Sequence, residues 1–290
     1  MDEGRRARAP VMTSTAGGPI GVFDSGIGGL TVYKALRDAL PPAERLVYLG
    51  DTARVPYGTR SDATVVRYAL EGGRFLARRG IKALVVACNT RSAVALDELR
   101  AAMGRPVVGV IDPGVEAACR ATKGGVIGII GTAATVKSGA YPRAIARRLP
   151  QARVVARACP LFVPLAEEGW VDNEVTRATA RAYLGDMRGT GIDTLVLGCT
   201  HYPLLKTVIG ETVGPAVVLV DSAEATAAAA RSLLADHGLL AADRGAGAGG
   251  VHAGDGDHFF VTDSSERFHE VGARFLGRRL DRLELVDLLE

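Results

Sequence analysis

The sequence predicts an α/β protein made of two related halves, each built on a mostly parallel sheet. Short apolar runs, bounded by Gly or a polar residue, alternate with stretches that carry Arg, Glu and Ala at helical spacing. Runs this short are typical of buried strands in parallel sheets. Segments of the first half also align with segments of the second in the same order. We therefore expect two pseudo-symmetric, doubly wound domains with an active site in the cleft between them.

The apolar runs place nine strands along the chain. A final amphipathic segment, residues 264–278, predicts a capped helix with Phe268, Val271, Phe275 and Leu276 on one face. Residues 1–19 are polar without periodicity and predict a disordered arm, and the Gly-rich residues 241–257 predict a flexible loop. The predicted strands lie within residues 21–24, 46–51, 83–89, 107–112, 125–132, 153–160, 194–200, 217–222 and 258–263.

The composition excludes several classes of protein. Hydrophobic residues make up 48% and charged residues 23% of the 290 residues, and the net charge is only +3. A charge this small argues against a nucleic-acid surface, and no segment approaches the roughly 18 apolar residues of a membrane span. The start of the chain lacks the apolar run of a secretory signal. We therefore expect a cytoplasmic protein with a small-molecule substrate and no nucleic-acid or membrane partner.

The four cysteines carry no metal or disulfide pattern. Cys88, Cys119, Cys159 and Cys199 are spaced 31, 40 and 40 residues apart, without a C-x-x-C pair or a C/H cluster. We therefore expect neither a structural zinc nor a disulfide framework. In a reducing compartment each cysteine is either a small buried hydrophobe or a reactive thiol.

An internal repeat separates two of these cysteines from the others. Residues 81–91 align with residues 192–202, which places Cys88 over Cys199 at an offset of 111. Cys119 and Cys159 have no such partner, so we interpret both as structural. Two further pairs of segments match in the same order at nearly the same offset, namely 21–26 with 128–133 and 54–56 with 162–164.

The repeated cysteines occupy positions suited to proton transfer. Both follow a predicted strand and precede a predicted helix, and ligands of open α/β sheets bind at the carboxyl ends of strands. The free N–H groups and positive dipole end of a following helix lower a thiol pKa below its reference of about 8.5. If the halves face each other, Cys88 and Cys199 approach one ligand from two sides. Two acid/base groups on opposite faces of one carbon are what stereochemical inversion requires.

At these residues the sequence resembles the cofactor-independent aspartate/glutamate racemase family. The similarity extends over nearly all of residues 20–289 and its motifs are long and in order. One departure is Arg91, which follows the ACNT motif where the family usually has a small residue, and which we expect to alter the pocket mouth. The matching motifs are FDSGIGGLTV (23–32), GDTARVPYG (50–58), ACNT (87–90), GTAATVKSGAY (131–141), CPLFVPLAEEG (159–169), GCTHYPLL (198–205) and TDS…F…RFLG (262–277).

The resemblance implies a division of the chain and a set of roles. The first domain would comprise residues 20–112 and 222–290, and the second residues 113–221. Cys88 and Cys199 would be the two proton-transfer groups. The resemblance implies substrate contacts at Asp24, Ser25, Tyr57, Gly58, Asn89, Thr90, Thr200 and His201, with Thr132, Thr135, Glu167 and Asp51 as weaker candidates.

Several of these residues have plainer interpretations. Asp24 alone would be a helix N-cap on a tight Gly turn. Its D-S-G-x-G-G turn also resembles half of a dinucleotide fingerprint, but Thr31 occupies the third Gly position, which argues against nucleotide binding. Asn89, Thr90 and Thr200 suit helix caps as well as a substrate carboxylate. His201 is either a surface cap or an imidazole that exchanges a proton with Cys199.

The function implied by the resemblance is the interconversion of L- and D-glutamate by two thiols, without cofactor or metal, supplying the D-isomer for peptidoglycan. Two alternatives stay open. The first alternative is another two-thiol racemase of the same family, such as one acting on aspartate. The second is a non-catalytic module of two α/β halves that closes on a small anion. A homodimer is compatible with the sequence, which does not specify the oligomeric state.

Overall fold

The protein, described here from a computed structural model, contains two parallel sheets. The structure describes residues 17–55, 57, 60–242 and 256–288. Gly58, most of the expected N-terminal arm and most of the expected 241–257 loop lie outside these residues. The first sheet has six strands in the order β10-β9-β2-β1-β3-β4, and the second has four in the order β6-β5-β7-β8.

The strands of the described residues are short, and all their pairings are parallel. Helices connect successive strands, as parallel pairing demands. In these described ranges, no helix combines the length and the apolar character needed to cross a membrane. The strands are β1 (Ile20–Asp24), β2 (Leu46–Gly50), β3 (Ala83–Val86), β4 (Val107–Gly109), β5 (Val126–Gly131), β6 (Arg153–Ala158), β7 (Thr194–Gly198), β8 (Val218–Asp221), β9 (His258–Val261) and β10 (Leu283–Leu285).

The helices lie on both faces of the sheets. Their bounds are α1 (Leu30–Ala39), α2 (Asp62–Arg78), α3 (Asn89–Val94), α4 (Leu96–Met103), α5 (Ile111–Ala121), α6 (Ala133–Ser138), α7 (Ala140–Arg148), α8 (Phe162–Glu167), α9 (Glu174–Leu184), α10 (Lys206–Val213), α11 (Ser222–Asp236) and α12 (Ser265–Leu276). Short 3₁₀ turns cover Thr52–Arg54, Met187–Thr190 and Tyr202–Leu205.

The two sheets share one topology. The order β2-β1-β3-β4 in the first sheet repeats as β6-β5-β7-β8 in the second, and β9 and β10 extend the first sheet beyond β2. In each sheet the chain starts in the interior, adds a strand on one side and then crosses to the other. The expected α/β class with parallel sheets is confirmed. The crossing points, beside β1 and β5, are where such sheets bind ligands.

The hydrophobic core joins the two sheets. Buried residues of the first sheet, such as Ile20 and Tyr48, and of the second, such as Ile129 and Val196, belong to one continuous cluster. Helices α5 and α11 pack against each other within it, and α11 also packs on α1. Separate clusters fill the outer face of each sheet. This shared core fixes the carboxyl ends of both sheets relative to each other.

Three local features differ from the sequence-based expectation. Strand β10 was not predicted, because its three residues are largely exposed and too few to show a pattern. The first residue of the expected capped helix, Ser264, makes no side-chain cap and has a φ of 53°. The chain after Cys199 enters a 3₁₀ turn at Tyr202–Leu205 before α10 begins. The expected helix N-terminus therefore follows Cys88 directly, but not Cys199.

Two adjacent glycines of α2 offer a test of the packing beneath β1. A methyl group on Gly72 would lie 2.1 Å from Cζ of the Phe23 ring, whereas one on Gly73 would meet only the ends of Leu99 and Met103, at 2.9 and 3.0 Å. Alanine gains up to about 1 kcal/mol over glycine in a helix, but overpacking costs about 1–3 kcal/mol. We expect Gly72→Ala to lower the free energy of unfolding by about 1–2 kcal/mol and Gly73→Ala to leave it near neutral.

Urea unfolding of both variants would check this expectation. Equal transition midpoints for the two variants would contradict the close packing of α2 against Phe23.

Candidate active site

One cavity, of about 600 Å³, lies where the carboxyl ends of the two sheets meet, and both repeated cysteines line it. Cys88 follows β3 and is the N-cap residue of α3. Cys199 directly follows β7, the matching strand of the second sheet. The two thiols are 7% and 5% exposed. The cavity therefore brings together two nearly buried thiols, one from each half of the repeat.

The Cys88 side of the cavity carries opposing charges. Burial raises the pKa of the Cys88 thiol, and the nearby carboxylate of Asp24 raises it further. The guanidinium of Arg91 and hydrogen bonds from the Ser25 side chain and the Arg91 amide act in the opposite direction. The balance keeps this pKa above its ordinary value, so the lowered pKa expected from the position of Cys88 before a helix is wrong. The thiol is therefore the favoured resting state of Cys88 in the unliganded protein.

The Cys199 side is organised around an imidazole. Nδ1 of His201 lies 3.8 Å from Sγ of Cys199, and Nε2 lies 3.0 Å from Oε1 of Glu167. Burial would lower the pKa of His201, but its hydrogen bonds and charge interactions with Cys199 and Glu167 outweigh burial and raise it to about 10. Burial would raise the pKa of Glu167, but its contacts with His201 and Arg267 lower it overall. His201 is thus held as an imidazolium between two acidic groups.

The raised pKa of His201 also makes the stability of the folded state depend on pH. Its folded-state pKa lies above the ordinary value of 6.5, so the folded state binds the proton more tightly than the unfolded chain. This contribution to stability is fully present below about pH 6.5 and is lost as the pH rises through about 10.

Hydrogen-bond donors also face the cavity. Tyr141 donates to Oδ1 of Asn89 at 2.7 Å, which fixes the amide, and Nδ2 of Asn89 has no partner among the described residues. Hydroxyls of Thr90, Thr132 and Thr135 lie 3.0–3.2 Å from one another and join α3 to the start of α6. An unpartnered buried amide beside a hydroxyl cluster is a suitable site for a carboxylate.

Most of the predicted site residues are in the cavity wall. Of the weaker candidates, Thr132 and Glu167 also line it, whereas Thr135 and Asp51 are buried behind it. Asp24 is 1% exposed and lies behind the wall, where its Oδ2 accepts the Gly26 amide at 2.9 Å. Gly58 lies outside the described residues. The predicted residues that line the cavity are Ser25, Tyr57, Cys88, Asn89, Thr90, Cys199, Thr200 and His201.

Two arginines differ from the sequence-based interpretation. Arg91 does not alter the pocket mouth as expected; it is 0% exposed and lies beneath the Cys88 side of the cavity. Arg267 was not predicted at all. It projects from α12 to the cavity wall and lies 3.4 Å from Oε2 of Glu167. The apolar stripe of α12 gave no indication of this role, because Arg267 is an exposed residue outside that stripe.

The two cysteines interpreted as structural do not line the cavity. Cys159 is fully buried in the core of the second half, and burial raises its pKa to about 12. Cys119 lies on α5 and is half-buried. Neither is placed to reach a ligand between Cys88 and Cys199.

The cavity contains two thiols from matched strand ends. One thiol lies beside a carboxylate and the other beside an imidazolium. This arrangement defines an α/β protein equipped for acid/base chemistry on a small ligand. The sequence model of the Asp/Glu/Hydantoin racemase family matches residues 20–230. A glutamate racemase of Geobacter metallireducens is 56% identical to this chain over 269 residues, covering 93% of this chain and 96% of that protein. The chain belongs to this racemase family.

Solved structures agree with this assignment. The crystal structure of a glutamate racemase from Francisella tularensis in complex with D-glutamate superposes with a TM-score of 0.85 at 38% identity, covering 94% of this chain and 98% of that chain. A glutamate racemase from Thermus thermophilus in complex with β-chloro-D-alanine gives a TM-score of 0.82 at 46% identity, with the same coverage. The fold of the described residues is therefore that of two-domain glutamate racemases.

The His201–Glu167 contact yields a testable pKa. We expect Glu167→Gln to lower the pKa of His201 from about 10 toward its ordinary value, because the variant removes one of the two interactions, with Cys199 and with Glu167, that raise it. Glu168→Gln is the matched control, since Glu168 contacts Arg267 at 3.7 Å and is not among the groups that shift His201. An NMR titration of the His201 ring would measure both.

If the His201 pKa stayed near 10 in Glu167→Gln, the contact with Glu167 would not contribute to the raised pKa. An equal fall in both variants would indicate a general charge effect instead of the direct contact.

Proposed function

We propose that this protein interconverts L- and D-glutamate by proton transfer between the substrate α-carbon and the thiols of Cys88 and Cys199. The observation that carries the proposal is the pair of thiols, one at the end of β3 and one at the end of β7, in the wall of a single cavity. The relatives of this protein that are named glutamate racemase support glutamate as the substrate.

Removal of the α-proton is the difficult step. The proton lies beside a carboxylate, so its loss places further negative charge on that group. The proposed reaction uses neither a cofactor nor a metal, and no Schiff-base lysine spreads the charge. Donors aimed at the carboxylate must then stabilise its enolate character. The free Nδ2 of Asn89 and the hydroxyls of Thr90 and Thr200 are suited to this role.

The two thiols act in turn as base and acid. In one direction the Cys88 thiolate removes the α-proton of D-glutamate and the Cys199 thiol delivers a proton to the opposite face. In the other direction the roles reverse. This assignment of faces follows the family resemblance. General acid/base groups of this kind each contribute roughly 10²–10⁴-fold to the rate.

Each thiol has its own partner for the proton. His201, whose pKa is raised by its contacts with Cys199 and Glu167, can return a proton to the Cys199 thiolate or stabilise that thiolate as an ion pair. On the other side, Asp24 lies close enough to Cys88 to raise its pKa, and its Oδ1 has no partner among the described residues. Asp24 is therefore suited to accept a proton or to attract the substrate ammonium through the wall.

Other parts of the proposal concern the setting of the reaction. We assign residues 20–112 and 222–290 to one domain and residues 113–221 to the other, in keeping with the strands of the two sheets. The D-glutamate produced would supply peptidoglycan synthesis in the cytoplasm. These assignments follow the family resemblance and the strand order.

The direct test is a racemisation assay on the purified protein without added cofactor. We expect L-glutamate and D-glutamate each to approach an equal mixture, followed by circular dichroism, and we expect aspartate and alanine to react at least about tenfold more slowly, because the pocket must also hold the γ-carboxylate. Tight binding of glutamate without loss of optical activity would instead indicate a binding module. A preference for aspartate would assign the chain to another member of the family.

The four cysteines provide a matched set of variants. Cys88→Ala and Cys199→Ala should each lower racemisation at least about a hundredfold in both directions, because a complete inversion uses both thiols. Cys119→Ala and Cys159→Ala, which alter thiols outside the cavity, should stay within about threefold of the wild type. Near-native turnover by Cys88→Ala would exclude the two-thiol mechanism.

A further inference from the structure

Arg91 is a fully buried charged side chain next to the site. It is 0% exposed, and it lies on α3, one turn after Cys88. Its guanidinium is stacked between two aromatic rings, with Cζ 3.9 Å from the centre of the Phe23 ring and 4.3 Å from that of Tyr57. A charge buried this fully is stable only when paired and hydrogen-bonded.

The partners of Arg91 come from the ends of neighbouring strands. Nη1 donates to the carbonyl of Asp24 at the end of β1, at 3.0 Å. Nη2 lies 2.8 Å from Oδ2 of Asp51, directly after β2, and also donates to the hydroxyl of Tyr57. Because Arg91 itself follows β3, its side chain ties together the ends of three adjacent strands. These are the strand ends that carry the Cys88 side of the cavity.

The same side chain fixes a residue of the cavity wall. The Tyr57 hydroxyl donates to Asp51 and accepts from Arg91, while its ring stacks on the guanidinium. Tyr57 lines the cavity. The planar fork of arginine suits this combination of donation from both terminal nitrogens and stacking, which a lysine ammonium does not reproduce.

The groups around Cys88 include charges of both signs. Asp24 and the hydroxyl of Tyr48 face it from β1 and β2, and Arg91 faces it from α3. Asp51, behind Arg91, partly offsets the guanidinium and is itself 3.7 Å from Arg54. Arg91 is thus the cation among these groups whose interaction favours the thiolate of Cys88, and its backbone N–H donates to the same sulfur.

We propose that Arg91 is a positioning residue for the Cys88 half of the reaction: its guanidinium stabilises the Cys88 thiolate and its contacts hold Tyr57 in the cavity wall. This inference rests on the proposed two-thiol function for its catalytic meaning. The effect of the Arg91 cation on one of two matched thiols can be measured without following turnover. Cys199, supported by His201, provides the internal reference in the same molecule.

The test is the pH dependence of alkylation at each cysteine. Iodoacetamide labelling of Cys88 and Cys199 is followed by peptide mass spectrometry from about pH 6 to about pH 10, which brackets the ordinary thiol pKa. The principal variant is the double change Arg91→Met with Asp51→Asn, which removes a buried ion pair together and avoids leaving one charge unpaired. Asp51→Asn alone keeps the guanidinium and a hydrogen-bond acceptor for it.

The variants are expected to shift Cys88 in opposite directions. The double variant should move the Cys88 labelling profile to higher pH, slowing labelling at neutral pH about tenfold or more, a change that corresponds to one pKa unit. Asp51→Asn should move it to lower pH, because the guanidinium is no longer offset. The Cys199 profile should stay unchanged in both. Arg91→Lys, which keeps the charge but not the fork, should retain the Cys88 profile and raise KM several-fold.

Two results would overturn the inference. An unchanged Cys88 profile in Asp51→Asn would do so even if the double variant failed to fold, and so would equal shifts of Cys88 and Cys199 in any folded variant. The outcome is separable from the proposed function. If Cys88→Ala kept near-native racemisation, the two-thiol function would fail whatever Arg91 does, whereas unchanged labelling beside an inactive Cys88→Ala protein would reject the role of Arg91 alone.

Discussion

A thiol that exchanges protons out of contact with bulk water needs nearby groups to balance each of its charge states. Burial alone favours the neutral thiol and makes the thiolate a poor resting form. Both repeated cysteines of this chain are more than nine-tenths buried in the cavity wall. The arrangement of charged residues at the carboxyl ends of the two sheets can be understood as the consequence of this one constraint.

The duplicated scaffold meets the constraint in two different ways. The strand order is the same in both sheets, so the backbone brings Cys88 and Cys199 to matching positions. The surroundings are not duplicated. Cys88 has a helix N-terminus, a carboxylate and a buried guanidinium, whereas Cys199 precedes a 3₁₀ turn and depends on the imidazole of His201. In the proposed reaction, this symmetric backbone with asymmetric charges would act on two mirror-image substrates.

The sequence predicted the strands and the cysteine pair because both leave local patterns. Continuous apolar runs marked β1–β9, and the repeat selected Cys88 and Cys199 from four cysteines. The environment of Arg91 left no such pattern, since the direction of its side chain depends on which helix face turns toward the ends of β1 and β2. Arg267 reaches the site only through the packing of α12 on the first sheet. Tertiary placement of long side chains is what a local reading of sequence cannot supply.

The central claim, that two thiols share one inversion, is tested most directly by solvent deuterium. The protein is incubated with L-glutamate, and separately with D-glutamate, in deuterated water, and the α-hydrogen of each isomer is followed by NMR. Because the delivering thiol carries a solvent-derived hydrogen, we expect early deuterium in the inverted product and almost none in the remaining substrate. Early labelling of the unreacted isomer to the same extent as the product would contradict it.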